Sequence, residues 1–163
     1  MSFPPVSPTD FVTELYIGYY NRAPDSVGLS FWLSAYNSAI AAGANPTIEL
    51  TTLANSFANS SESTAIYPFL LAPSAANASS FVTQVYNNIL NRAPDAAGLA
   101  FWVNQLTTGA TTPGALIVTV EASVNQQIGT ADAQTLGNKI TVAEYFDTQA
   151  ATAGINASSS FPF

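Results

Sequence analysis

Two short arrays of side chains hold most of the chemical potential of this sequence. Arg22, Asp25, Gly28 and Trp32 recur 70 residues later as Arg92, Asp95, Gly98 and Trp102. The whole chain of 163 residues has three cations, Arg22, Arg92 and Lys139, against ten carboxylates. A repeated arginine among so few cations could receive an anion or a carboxylated sugar. Its planar fork could equally bond a carboxylate or the carbonyls at a helix end. The second use is the expectation, with Glu62 as the partner of Arg22 and Glu121 as the partner of Arg92. Asp25 and Asp95 read as helix caps, because calcium needs six to eight oxygens and no Asp-rich loop supplies them. Trp32 and Trp102 could stack on sugar rings, but their helical phase with Leu29, Leu33, Leu99 and Val103 predicts core packing. Asp10 with Glu14, and Glu144 with Asp147, stand at helical spacings and read as solvated faces rather than acid/base pairs.

Other chemistry has few instruments. Histidine and cysteine are both absent, and with them the commonest general base, the commonest nucleophile and the usual transition-metal ligands. The sequence has no Gly-rich phosphate loop and no Gly-x-Ser-x-Gly elbow. It is therefore expected to be no enzyme, with no cofactor and no metal. A net charge of -7 argues against nucleic acid, whose phosphates require several Lys or Arg. No run of 18 apolar residues suggests membrane insertion. Only 8% of residues are charged, where about 25% is usual. The surface must then be covered by Ser, Thr, Asn and Ala, which repel other copies weakly and tolerate sugar hydroxyls.

Helices must position these residues. FVTELYIGYYNRAPDSVGLSFW (11–32) and FVTQVYNNILNRAPDAAGLAFW (81–102) match at 13 of 22 positions, the mark of an internal duplication. Ser7, Pro8 and Asp10 open a helix carrying Phe11, Leu15, Tyr16 and Tyr19 at helical spacing. Ser79 and Ser80 are expected to cap its counterpart, which carries Phe81, Val85, Tyr86, Ile89 and Leu90. Pro24 and Pro94 end both helices, and Asp25 and Asp95 start the next pair. Third helices are expected over Leu50–Phe57 and Leu116–Val124. Pro68 and Pro73 bracket a linker, and Leu136–Ala151 forms one more helix. The predicted fold is all-α, with six or seven helices in a small bundle. Its parts are a first three-helix unit (7–67), a second (77–127), a C-terminal helix (132–153) and a Ser-rich tail (154–163).

The repeated Asn-Arg-Ala-Pro-Asp, Gly-Leu, Phe-Trp block resembles a bacterial helical domain of unknown function. That domain recurs in S-layer-like, RTX-type and other type I secreted surface proteins. Asn21 and Asn91 stand where its pattern usually has Gly, and Asn also tolerates the left-handed conformation. LGNKITVAEYF (136–146) is similar to the segment that often follows it. A more distant likeness, through the Arg-x-Pro-Asp turn, is to phycobilisome linkers, which are basic where this chain is acidic. The resemblance implies an extracellular or cell-surface structural protein that self-associates into a homo-oligomer or larger layer. The alternative is a module that anchors to lipopolysaccharide or exopolysaccharide. The first residues lack a basic and apolar leader, so export without a classical signal peptide is expected.

Overall fold

Prolines and small polar caps place most of the helix starts. The computed structural model describes residues 7–153, so the expected tail over 154–163 lies outside the described residues. Among the described residues there are nine helices and no strand. They are α1 (Pro8–Tyr20), α2 (Ser26–Ala41), α3 (Pro46–Ala58), α4 (Ser61–Ile66), α5 (Pro68–Leu71), α6 (Ala75–Leu90), α7 (Ala96–Thr107), α8 (Pro113–Asn125) and α9 (Ala131–Ala153). Pro8, Pro46, Pro68 and Pro113 each take a first helical position, where the missing N–H costs nothing. Ser7, Asn45 and Thr112 accept backbone N–H bonds just before three of these prolines' helices.

The expected all-α bundle is present, with nine helices among the described residues in place of six or seven. α4 was not expected, and α3 and α8 start at Pro46 and Pro113, ahead of the expected Leu50 and Leu116. Three other elements depart in detail. The helix expected to start at Ser79 or Ser80 starts a turn earlier, with Ser74 accepting from the Asn77 N–H. The expected linker between Pro68 and Pro73 contains α5, whose Phe69 is buried against Phe81 with ring centroids 5.7 Å apart. The last helix begins at Ala131, where Thr130 accepts from the Ala133 N–H at 3.2 Å.

α1 forms the centre. It packs against α2, α3, α6, α8 and α9 and is buried on every side from Phe11 to Tyr19. α3 and α8 pack along one another, and Gly114 is what lets them come close. A Cβ at Gly114 would lie 2.5 Å from the Ala54 carbonyl carbon and 2.6 Å from the Asn55 nitrogen. Side chains from both motif-bearing halves, among them Leu15, Phe57, Phe81, Ile89, Ile117 and Leu136, fill one continuous core. α2 and α7 lie at the periphery, and each has a single fully buried residue, Leu29 and Leu106.

Two glycine substitutions separate packing from propensity. Gly114→Val pushes a branched side chain into the α3 backbone and should destabilise by about 2–3 kcal/mol. Gly137→Ala, in α9 with open space around it, should stabilise by about 0.5–1 kcal/mol. Urea denaturation of both variants reads both signs.

Candidate functional site

The repeated motif builds the same small structure twice. Asn21 and Asn91 end α1 and α6 in the left-handed conformation, at φ of 50° and 54°, which Asn tolerates better than most residues. That reversal turns the chain so that the next residue, the arginine, lies back over the preceding helix. The Arg22 guanidinium sits 4.8 Å from the Tyr16 ring centroid, and that of Arg92 sits 5.9 Å from Tyr86, a cation–π placement. Asp25 Oδ1 accepts from the Gly28 N–H at 2.8 Å, and Asp95 Oδ1 from the Gly98 N–H at 2.7 Å. Trp102 Nε1 donates to the Tyr86 hydroxyl at 3.1 Å, and Trp32 takes the equivalent place beside the Tyr16 hydroxyl. The Tyr16 hydroxyl approaches Gly28 so closely that a Cβ there would stand 2.1 Å from it. Each repeated residue type therefore has a packing or hydrogen-bonding partner inside its own motif.

Both arginines also clamp a carboxylate 40 residues further on. Arg22 Nη2 donates to both Glu62 oxygens, at 2.9 and 3.0 Å, while Nη1 donates to the Ala23 carbonyl at 3.1 Å. Arg92 Nε and Nη2 donate to Asp132 at 2.9 and 2.6 Å. The expected bond from Arg92 to Glu121 is therefore corrected. Relative to α3, the start of α8 is shifted by 67 residues rather than 70, as Pro46 and Pro113 show. Glu121 thus takes the place of buried Ala54, and Asp132 takes the place of Glu62. The fork of Arg92 holds Asp132 below the usual carboxylate range. Such a pair contributes above the ordinary carboxylate pKa, and that contribution is lost only as pH falls through the depressed value.

Trp32 and Trp102 are partly buried and pack against the core, Trp32 stacking on Phe57 at 4.3 Å. Their neighbours face outward: Phe31 is 61% exposed and Phe101 54%. Each Phe meets its Trp edge-on at 5.0 Å.

Two carboxyls lie deep in the core, Glu14 where a solvated helix face was expected and Glu121 where an ion pair with Arg92 was expected. Glu14 is 2% exposed and Glu121 1%, because α1 is buried all round and has no solvent face for Glu14. Asn125 Nδ2 donates to Glu14 at 2.9 Å. Burial pushes Glu14 up to about 7 despite that bond, and burial together with Glu14 holds Glu121 well above the ordinary value. Glu144 is exposed and held above its usual value by burial and by its neighbour Asp10, whereas Asp147 is partly buried and held above its usual value by burial. Lys139 is buried too, donating from Nζ to the Asn21 amide oxygen at 2.9 Å and to the Asn88 carbonyl. Burial lowers it to about 8.

A cleft of about 460 Å³ runs between Asn55, Phe69, Leu106 and Thr112 and has no ionisable side chain in its lining. Among the described residues no three His, Cys, Asp or Glu cluster so as to hold a metal ion. No described helix is long and apolar enough to cross a membrane.

Residues 54–127 are similar to a family described as a domain of unknown function (DUF4214). That stretch contains the second motif segment and not the first. No curated protein and no solved structure matches the chain.

Double-mutant cycles distinguish the pairings. Arg92→Met with Asp132→Asn should show a coupling of about 0.5–1 kcal/mol, as expected for a part-exposed pair. Arg92→Met with Glu121→Gln should be additive within about 0.5 kcal/mol.

Proposed function

We propose that this chain is a non-enzymatic structural protein of the extracellular space or cell surface, built from two copies of one helical domain, that assembles with further copies of itself. The observation that carries this reading is the outer face of α2 and α7. These helices, of 16 and 12 residues, contain no charged side chain, although they lie at the periphery where Lys and Glu normally collect. Each presents a Phe at the same motif position, more than half exposed. Val27, 63% exposed, adds to the α2 face one turn before Phe31. Ser30, Ser34, Ala35 and Ser38 on α2, and Ala97, Ala100 and Asn104 on α7, complete surfaces that are neutral and small. Such faces lose little solvation when they meet, and a central aromatic anchor is the usual source of contact energy.

The duplication supports an open-ended assembly. The motif segments match at 13 of 22 positions and share their caps, arginine clamps and outward Phe. A chain with two equivalent sticky faces, each pairing with its own kind, grows into a row instead of closing as a dimer. The motif arginines support a structural role, since Glu62 and Asp132 already occupy their guanidinium groups.

A second reading, an anchor for surface polysaccharide, is favoured by the edge-on ring pairs Phe31–Trp32 and Phe101–Trp102, which offer apolar surface to sugar rings.

Light scattering over a concentration series tests the first reading. Wild-type protein should grow with concentration beyond the dimer. Phe31→Ser or Phe101→Ser alone should stop at dimers, and the double variant should remain monomeric. A wild-type protein that stays monomeric at every concentration contradicts the proposal, and retention of that monomer on purified surface polysaccharide selects the second reading.

A further inference from the structure

We infer that Glu14 and Glu121 form a proton-operated clamp between α1 and α8, closed while both carboxyls are neutral and forced open when both ionise. The geometry is a buried acidic pair without a cation. Glu14 projects from the central helix and Glu121 from α8, and both are almost fully buried. Asn125, one turn beyond Glu121 on the same helix face, bonds Glu14. Neither oxygen of Glu121 has a hydrogen-bond partner. Its Oε1 lies against Gly18 of α1, 3.0 Å from where a Cβ would stand, so α1 gives the carboxyl room but no donor.

Among the described residues, no cation acts on either carboxyl of the pair. α1 contributes Asp10, which acts on Glu14 with the same sign, and Tyr19, on which Glu121 acts. α2 and α6 carry no charged residue, and α3 carries only Glu49. α9 brings the carboxyls Asp132, Glu144 and Asp147, and Lys139, whose ammonium donates to Asn21 and Asn88. Arg22 and Arg92 are held by Glu62 and Asp132. Two carboxylates so placed would leave an uncompensated double charge in an apolar interior, which proteins avoid by keeping the proton.

The sign of the effect follows. Glu14 holds its proton up to about 7, while the unfolded chain releases it near 4.5. Between these values the folded state binds more protons than the unfolded one. Stability is therefore complete below the lower value and falls as pH rises through the window. Each proton makes the unfolding equilibrium constant rise about tenfold per pH unit there. The two halves of the chain are thus held together most firmly in mildly acidic surroundings.

Carbon-13 labelling of glutamate carboxyls tests this on the wild-type protein, with Glu14→Gln and Glu121→Gln used to assign the resonances. Both carboxyls should remain protonated at pH 6, after the exposed glutamates have titrated. From pH 6 to pH 8, α1 and α8 amides should lose at least about tenfold in exchange protection, corrected for intrinsic rate. The Glu14→Gln/Glu121→Gln double variant should lose no protection over that range. Titration of the two carboxyls with the exposed glutamates overturns the inference. Late titration with unchanged α1 and α8 protection also overturns it, because the protons would then operate nothing.

Discussion

A helix buried on all sides must have its terminal carbonyls satisfied by protein groups, because water cannot reach them. α1 is such a helix, and its C-terminal end organises the molecule. The Asn21 N–H returns to the Ile17 carbonyl. Asn88, from α6, donates to the Gly18 carbonyl at 2.9 Å, and the Tyr67 hydroxyl donates to that of Tyr19. Lys139 then brings a charge from α9 to Asn21 and to the Asn88 carbonyl, so one ammonium serves the ends of α1 and α6 together. Gly18 and Asn88 stand 70 residues apart, the spacing of the duplication itself. The two halves are therefore joined at equivalent positions, and that junction fixes how the rest of the core closes.

Charge is used sparingly and in one region. Arg22 and Arg92 directly follow α1 and α6, and Lys139 bonds both ends, so all three cations of the chain lie where the helix dipoles are negative. What remains is a core that contains carboxyls without counter-ions and two peripheral helices, α2 and α7, that contain no charged side chain. The first property ties the α1–α8 junction to pH. The second leaves the outer faces of α2 and α7 poor in the repulsion that ordinarily keeps soluble proteins apart. Both follow from the same composition.

Much of this was legible in the sequence, and the failures have physical causes. Local chemistry announced the starts of α1, α2 and α7, since Ser-Pro and Asp caps act within one turn. By contrast, α3 and α8 start at Pro46 and Pro113, ahead of the apolar residues that marked them. The Ser74 start of α6 was hidden because Ala75–Ala78 offers no apolar periodicity. α4 and α5 are short helices kept by the burial of Ser63, Tyr67 and Phe69, a tertiary effect that a local pattern does not show. Asp132 was within reach: adding the repeat offset of 70 to Glu62 points to it, but Glu121 is the acid carried by the third helix of the second unit and drew the assignment instead. Glu14 could not have been found from its own helix. Its burial depends on α6, α8 and α9 closing over the face where a polar residue would ordinarily meet solvent.

The duplicated halves share one core through the meeting ends of α1 and α6, and do not fold as separate units. Trp32 reports on the first half and Trp102 on the second, so Trp32→Phe and Trp102→Phe leave one tryptophan in each, excited apart from the seven tyrosines. The most direct measurement is urea unfolding of these two proteins followed both by fluorescence and by circular dichroism. A shared core predicts that fluorescence and dichroism coincide in each variant, with one slope throughout. A fluorescence transition that departs from the dichroism curve in either variant, so that one half melts while the other keeps its helices, would contradict it.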